Sequence, residues 1–495
     1  MNTHFLHDFL RPKSIAIYGA NNSFGTTMGT MQLIRIISSG YKGKIFPIHL
    51  KLNNVLGFKA YKSIAEIPEI PDLVIIVLPP KVVPQIFKEC GEKGVKKIVL
   101  ISGGFREVTG DRSNKLTEEI TEIANQYGIR FTGPNCFGFY NSWLYPNDNG
   151  IFNMMVWGDG LKRGKFSVAS QSGTMSSHWG MDPESLDVRV GKSISVGNEA
   201  NIDLVDFLDY FKNDEETDVI GLYIEEIKRG QKFIQIAKEI SQKKPIIAMY
   251  GGGSVAGNRA IKSHTGSIAG NMKIFDAMIK ETGIIKTDYI EEFLDIASIL
   301  SNPNFSYPKG KRIGIITNSG GPGALIANNA ERNCLVVPQL SESLQTKLKK
   351  ILPHTASWHN PVDVTFDMNI FNFYTSIPKM LMKSGEIDAV IIYGAIGFHE
   401  TIPDLQQNEK IGACIEFRED MAERMDEMDK IFIAPTIKAS QKLGVPIIYI
   451  NPQNFASHWS KKIREHGGIV FQYWDRPVNA LAKIVEYLEY RRNHS

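Results

Sequence analysis

Short runs of apolar, β-branched residues alternate with longer stretches of helical periodicity along nearly the whole chain, and this rhythm restricts the fold more than any other feature. Ser14-Ile15-Ala16-Ile17-Tyr18, Leu73-Val74-Ile75-Ile76-Val77-Leu78, Lys97-Ile98-Val99-Leu100-Ile101, Val219-Ile220-Gly221-Leu222-Tyr223-Ile224 and Ala389-Val390-Ile391-Ile392-Tyr393 are short and apolar on successive residues, as strands covered on both faces must be. Such strands belong in parallel sheets, and parallel neighbours need crossover helices between them. An α/β fold is predicted, and 495 residues supply material for about three domains.

Two polar stretches rich in Gly, Pro and Asn interrupt the rhythm, one from about 141 to 165 and one from 301 to 310. Read as linkers, they divide the chain into units at 1–142, 164–303 and 311–495. The second and third units open alike: Gly164-Lys165-Phe166-Ser167-Val168-Ala169-Ser170-Gln171-Ser172-Gly173 matches Gly310-Lys311-Arg312-Ile313-Gly314-Ile315-Ile316-Thr317-Asn318-Ser319-Gly320-Gly321 in order of residue type. Each is a strand, a hydroxyl and an amide residue, Ser-Gly, then a helix. The first turn of a helix has free N–H groups and a partial positive charge, so Ser172, Gly173 and Thr174 in one unit, with Gly320 and Gly321 in the other, are candidate phosphate-binding residues. Either junction alone reads equally well as a tight turn.

Composition closes off other classes. Hydrophobic residues at 43% and charged residues at 22% are ordinary for a globular chain, and a net charge of +3 without long blocks of one sign leaves no footprint for nucleic acid. No apolar run reaches the roughly 18 residues of a membrane span, and the opening residues lack a signal-peptide core, so a cytoplasmic protein without a membrane partner is expected. Cys90, Cys136, Cys334 and Cys414 form no Cys-x-x-Cys pair and the histidines show no ligand spacing; no metal site is expected in this chain. A Gly-x-Ser-x-Gly elbow, a His-Glu-x-x-His pair and a P-loop are all lacking, Gly191-Lys192-Ser193 having no leading glycine.

In the first unit, Gly19-Ala20-Asn21-Asn22-Ser23-Phe24-Gly25 follows the first strand where a Rossmann fold carries its phosphate turn, without the Gly-x-Gly-x-x-Gly fingerprint. The second strand runs into Lys51, where an NAD enzyme would offer a carboxylate to the ribose. A cation there favours a phosphorylated nucleotide, coenzyme A or NADP. Gly19, Ala20, Asn21, Ser23, Gly25 and Lys51 are candidate cofactor-binding residues, together with Pro79, Asn135 and Cys136 at later strand ends. In the second unit, Lys262-Ser263-His264-Thr265-Gly266-Ser267 follows the glycine-rich 251–257 and is read as a loop able to move. A histidine with a free ring nitrogen near neutrality is a nucleophile, and Glu225, at a strand end with Glu226 beside it, would orient its ring and stabilise its positive charge.

Taken together, Gly133-Pro134-Asn135-Cys136, Ser170-Gln171-Ser172-Gly173, Ser195-Val196-Gly197-Asn198, Tyr223-Ile224-Glu225, Ser263-His264-Thr265-Gly266-Ser267-Ile268-Ala269-Gly270, Thr317-Asn318-Ser319-Gly320-Gly321-Pro322-Gly323 and Asn360-Pro361-Val362-Asp363 resemble the α subunit of ADP-forming acyl-CoA synthetases, relatives of succinyl-CoA synthetase. The resemblance runs from about residue 8 to beyond 480. It implies a Rossmann-like CoA-binding domain followed by two flavodoxin-like ligase domains. It also implies reversible conversion of acyl-CoA, phosphate and ADP into acid, CoA and ATP through an acyl phosphate and a phosphohistidine. By matching position His264 would carry the phosphoryl group with Glu225 as its partner. ADP or ATP and Mg2+ are expected on a separate ATP-grasp β subunit, in a hetero-oligomer such as α2β2. The alternative is a noncatalytic CoA- or acyl-CoA-binding regulatory protein of the same fold. Asn201, Tyr250, Asn328 and His49-Leu50 depart from residues usual in the family, and 400–443 reads as amphipathic helix.

Overall fold

The computed structural model describes the chain except residues 1–3, 106–110, 146, 149, 157–161, 179–186, 266–271, 366–368, 370, 395–404, 406, 411, 413, 415–420, 454 and 495, and describes the backbone alone at 111–113, 262–265 and 421–430. In the first sheet Lys44–Ile48, Ser14–Tyr18, Leu73–Ile76, Lys97–Leu100 and Arg130–Thr132 lie side by side in that order, all parallel. Tyr61 adds one parallel bridge outside Ile48, a third strand reduced to a single residue. Counting it, the order is the 3-2-1-4-5-6 of a doubly wound dinucleotide fold, and the winding reverses between Ser14–Tyr18 and Leu73–Ile76. Both of those central strands are buried along their whole length, as their unbroken apolar sequence requires.

The second sheet orders Ile285–Thr287, Ile246–Tyr250, Val219–Ile224, Lys162–Ser170 and Arg189–Ser195 in parallel, then adds Phe139–Asn141 and Phe152–Asn153 antiparallel at one edge. The third has Val362–Asp363, Ile313–Thr317, Ala389–Tyr393, Ile447–Ile450 and Ile469–Phe471, all parallel. Numbered within their own units, both parallel sets run 2-1-3-4-5, the flavodoxin order. The likeness between the two opening segments is therefore a likeness of whole topologies.

One expectation is corrected. The stretch from 141 to 165 is not a plain linker: it holds Phe152–Asn153, fully buried, and the start of Lys162–Ser170. Its polar composition hid a short edge hairpin. Accordingly the chain packs as two compact units, one of Met1–Pro183, Val188–Phe293 and His494–Ser495 with the first two sheets, the other of Glu184–Asp187 and Leu294–Asn493 with the third. In the first unit one apolar cluster includes Ile15, Val99, Phe139, Ala169, Ile194 and Leu222, so the two sheets share a core. Their loops are also laced together, with Gly133 N–H donating to the Val196 carbonyl (3.1 Å), Asn198 N–H to Pro134 (2.9 Å) and Ala200 N–H to Gly133 (3.0 Å). Of the stretch 400–443 read as amphipathic helix, Met421–Leu443 is helical, while 400–404, 406, 411, 413 and 415–420 lie outside the described residues.

Candidate active site

At the reversal point of the first sheet the backbone turns so tightly that only glycine fits. Gly19 has φ +87, and a Cβ on it would lie 2.0 Å from the Val77 carbonyl oxygen. Gly29, in the helix Met28–Ser38, also has no room for a side chain: its Cβ would stand 2.8 Å from the Gly19 carbonyl group. The glycine that lets helix and turn approach lies ten residues on, which is why the short-range fingerprint fails to find it. Thr27 caps this helix, its hydroxyl accepting from Thr30 N–H (3.2 Å) and donating to the Gly19 carbonyl (2.8 Å). Asn21 Oδ1 accepts from Ser23 N–H (2.7 Å) and Thr26 Oγ1 (3.2 Å), which holds the turn with Ser23 and Gly25 exposed beyond the buried Ala20. Lys51 is exposed past the second strand, in a turn whose Lys51 and Leu52 N–H groups both donate to His49 Nδ1 (3.1 and 3.0 Å). Open glycine backbone, a helix N-terminus and an exposed cation suit a phosphorylated nucleotide.

Pro79 is exposed after the Leu73–Ile76 strand. Asn135 adopts φ +58 and its amide donates to Asn198 Oδ1 (3.3 Å). Cys136 differs from expectation at the side chain. Its thiol is buried against the Leu100 carbonyl (3.4 Å), and burial pushes its pKa up to about 12, so it is a core group and not a strand-end ligand.

In the second sheet the turn after Lys162–Ser170 is built from side chain to backbone. Ser170 Oγ donates to the Ser172 carbonyl (2.7 Å) and accepts from Ser172 N–H (3.2 Å), and Ser172 caps the single-turn helix Gly173–Ser177 through Met175 N–H (3.4 Å). Gly173 lies against the Phe137 ring, where a Cβ would come within 3.0 Å, and Thr174 is exposed. Gln171, between the two serines, accepts on Oε1 from the backbone N–H of Glu225 (2.5 Å) and Glu226 (3.0 Å) and donates from Nε2 to the Glu226 carbonyl (2.8 Å). The candidate phosphate turn and the candidate orienting carboxylate are thereby held together by one amide. Glu225 is buried; burial first, then the nearby Glu225 carboxylate, push the Tyr223 hydroxyl up to about 12.

The glycine-rich segment after Ile246–Tyr250 packs under two rings: a Cβ on Gly251 would meet the Tyr223 hydroxyl at 2.5 Å and one on Gly252 the Tyr250 ring at 2.7 Å. Ser254 then starts a helix, its hydroxyl accepting from Gly257 N–H (2.9 Å), and Val255–Thr265 is helical. His264 therefore sits in the last turn of a helix and not in a loop. Its side chain, and Gly266, Ser267, Ile268, Ala269 and Gly270, lie outside what the structure describes.

The third sheet repeats the turn. Thr317 Oγ1 donates to the Ser319 carbonyl (2.8 Å) and accepts from Ser319 N–H (2.9 Å), as Ser170 does with Ser172. Here the helix Gly320–Arg332 has no side-chain cap bond, Gly320 and Gly321 are exposed at its start, and a Cβ on Gly320 would stand 3.1 Å from Asp363 Oδ2.

Comparison with known proteins follows the same order. Residues 13–142 match a CoA binding domain and residues 163–300 a succinyl-CoA ligase-like flavodoxin domain. The chain is 38% identical over 383 residues to the Pyrococcus furiosus acetate–CoA ligase (ADP-forming) II subunit alpha, covering 77% of this chain and 81% of that one. The chain belongs to the ADP-forming acid–CoA ligase family. A family member from Nitrosopumilus maritimus, a 4-hydroxybutyrate–CoA ligase (ADP-forming), is 32% identical over 77% of this chain, which spans 53% of that longer protein. A solved family structure, the acetyl-coenzyme A synthetase 1 of Ca. Korarchaeum cryptofilum in complex with phosphate and ADP, superposes with a TM-score of 0.80 at 28% identity, covering 99% of this chain and 98% of that one. That coverage extends the family fold through the third sheet.

Sequence reasoning missed the side chains behind the site. Gln171 was noticed only as part of a repeated motif, and Glu199 not at all. Glu199 is buried at φ +56, accepts on Oε1 from Leu204 N–H (2.8 Å) and faces Lys228 Nζ at 3.8 Å. Lys192, rejected as a P-loop lysine, is a fully buried strand residue between Asp214 and Glu216, each at 2.7 Å.

Proposed function

We propose that the chain is the catalytic α subunit of an ADP-forming acid–CoA ligase, divided at 1–142, 164–303 and 311–495 into a CoA-binding and two ligase domains. The observation that carries this reading is the 38% identity to an acetate–CoA ligase alpha subunit across four-fifths of that protein. CoA, the substrate, is held by Gly19, Ala20, Asn21, Ser23, Gly25 and Lys51, with Pro79 and the backbone at Asn135–Cys136 at neighbouring strand ends. A phosphate oxygen attacks the thioester carbonyl, the C–S bond breaks, and the thiolate leaves and takes a proton as CoA. His264 then attacks phosphorus in the acyl phosphate, the bridging P–O bond breaks, and the free acid departs, leaving phosphohistidine. Glu225 stabilises the positive imidazole while Ser172, Gly173 and Thr174 supply helix-end N–H groups to the phosphoryl oxygens, and Gly320 and Gly321 form the matching phosphate-binding turn of the third sheet; such ends are each worth up to about 2 kcal/mol when partly buried. Transfer to ADP, with Mg2+, takes place on an ATP-grasp β subunit in the cytoplasm.

The test is labelled phosphate with acetyl-CoA. Acid-labile, base-stable label is expected on the wild type and none on His264→Ala. Equal labelling of both proteins would reject His264 as the acceptor. No label with any of several acyl-CoAs, including 4-hydroxybutyryl-CoA, in the presence of the partner subunit would reject the enzyme reading.

A further inference from the structure

The ladder between the strands Lys162–Ser170 and Val219–Ile224 ends where the candidate site begins. Ser170 pairs with Tyr223, and Gln171 N–H still donates to the Tyr223 carbonyl (3.2 Å). Beyond that bond one chain turns into Ser172-Gly173-Thr174 and the other into Glu225-Glu226. There the Gln171 side chain takes over from the backbone. Its Oε1 accepts from two consecutive N–H groups, those of Glu225 and Glu226, which uses both lone pairs, and its Nε2 donates to the Glu226 carbonyl. Reversing the amide would set its NH2 against two N–H donors and its oxygen against a carbonyl, so these three bonds fix its orientation. Gln171 and Glu225 are both buried. The far end of the same turn is tied to a different neighbour, Lys228 Nζ donating to the Asn198 (3.0 Å) and Glu199 (2.7 Å) carbonyls.

We propose that Gln171 is a positioning residue that makes the Ser172–Thr174 turn and the Glu225 backbone one rigid part, and so sets where the Glu225 carboxylate stands relative to the phosphoryl oxygens. The inference rests on the reading of Glu225 as the partner of His264 and adds the residue that places it. On that reading His264 comes from a separate element, the helix Val255–Thr265, and must meet the carboxylate and the phosphate turn together. Gln171 is anchored from the turn side, because it lies between Ser170 and Ser172, whose hydroxyl–backbone bonds brace the chain across it. A shift of the phosphate turn is carried to Glu225 through one short side chain. Misplacing a stabilising group by about 1 Å can cost about 100-fold in rate. CoA binding, on the first sheet, uses other residues and should not feel the loss.

Two measurements test this. Hydrogen exchange resolved to single residues is followed at Glu225 and Glu226 in the wild type and in Gln171→Met, which keeps the length of the side chain and removes its amide. Both N–H groups are expected to be protected in the wild type and to exchange about ten-fold or more faster in the variant, a larger rise than at Ile220 and Leu222 in the adjoining strand. Unprotected amides in the wild type, or a rise no larger than the strand's, overturns the proposal. The second measurement is the rate at which labelled phosphate, with an acyl-CoA that labels the wild type, modifies His264. Gln171→Met is expected to slow it by about ten-fold or more while the Kd for CoA stays within about two-fold. Labelling at the wild-type rate, or an equal loss of CoA binding, also overturns it. If Gln171→Met does not fold, Gln171→Asn takes its place with the same expectations, its amide being one methylene short of the Glu225 and Glu226 N–H groups. Absence of label in the wild type would instead strike the ligase reading, and the exchange measurement would still decide whether Gln171 holds the turn.

Discussion

At the scale of single residues, three of the departures from the family pattern, at His49, Asn201 and Tyr250, have local physical explanations. His49 stands where asparagine is usual, and its Nδ1 accepts the Lys51 and Leu52 N–H bonds that an asparagine oxygen would take. Asn201 stands where aspartate is usual, and its Oδ1 accepts from Phe131 N–H at 3.2 Å, a bond a carboxylate makes equally well. Asn201→Asp is therefore expected to leave urea stability within about 0.5 kcal/mol, while Asn201→Ala costs about 1 kcal/mol by stranding that N–H. Tyr250 replaces a common lysine and stacks on Phe275 at 4.4 Å, over Gly252. Glu199 carries a pH prediction of its own. Its folded pKa lies above its unfolded value, so between about 4.5 and 7 the native state binds the extra proton and stability falls as pH rises through that window. Measured by denaturant unfolding, the stability of the wild type relative to Glu199→Gln is expected to decline from pH 5 to pH 8.

Among elements, the two turns after Lys162–Ser170 and Ile313–Thr317 were legible because the same four residue types recur after a strand, and each makes the same pair of hydroxyl–backbone bonds. The segment 251–265 was misjudged: four glycines and a run of small residues suggest a loop, yet the Ser254 cap and the neighbouring Tyr223 and Tyr250 rings order it as a helix from Val255. The strand Arg189–Ser195 holds the other hidden feature. Lys192 is buried between Asp214 and Glu216, and Arg11 pairs with Glu216 from the N-terminal segment. Lys192→Met is expected to cost about 3–5 kcal/mol at neutral pH, because it leaves a buried carboxylate uncompensated. Burial opposes ionisation of Asp214, but Lys192 and Thr217 outweigh it and hold the carboxyl below its ordinary range. That contribution is present above the unfolded carboxylate value and lost as pH falls through the folded one, so the gap between wild type and variant should narrow on acidification.

For the whole molecule, three sheets do not mean three independent cores. The apolar cluster that joins Ile15 and Val99 to Phe139, Ile194 and Leu222 makes the CoA-binding sheet and the first ligase sheet one packing unit, whereas the third sheet has clusters of its own. A fragment of residues 1–142 keeps the cluster on one face of its sheet, around Phe87, Leu100 and Phe131, but exposes the other. It is expected to unfold at a lower temperature than the same sheet does within the full chain, as followed by hydrogen exchange at Ile15–Tyr18; equal protection in fragment and chain would refute a shared core.

The sequence by itself determined the α/β class and the strand-end positions of Gly19, Ser172, Glu225 and Gly320, because apolar periodicity and turn chemistry are local properties of the chain, while the family and its flavodoxin-like units were legible only through the resemblance of its motifs. Only the tertiary structure decided that Phe139–Asn141 and Phe152–Asn153 close the edge of the second sheet, that Cys136 is a core thiol, and that Gln171 ties the turn after Lys162–Ser170 to the Glu225 backbone. Those outcomes depend on which distant groups are brought within hydrogen-bonding or packing distance. Burial then sets their charge and orientation, a condition that no stretch of sequence carries alone.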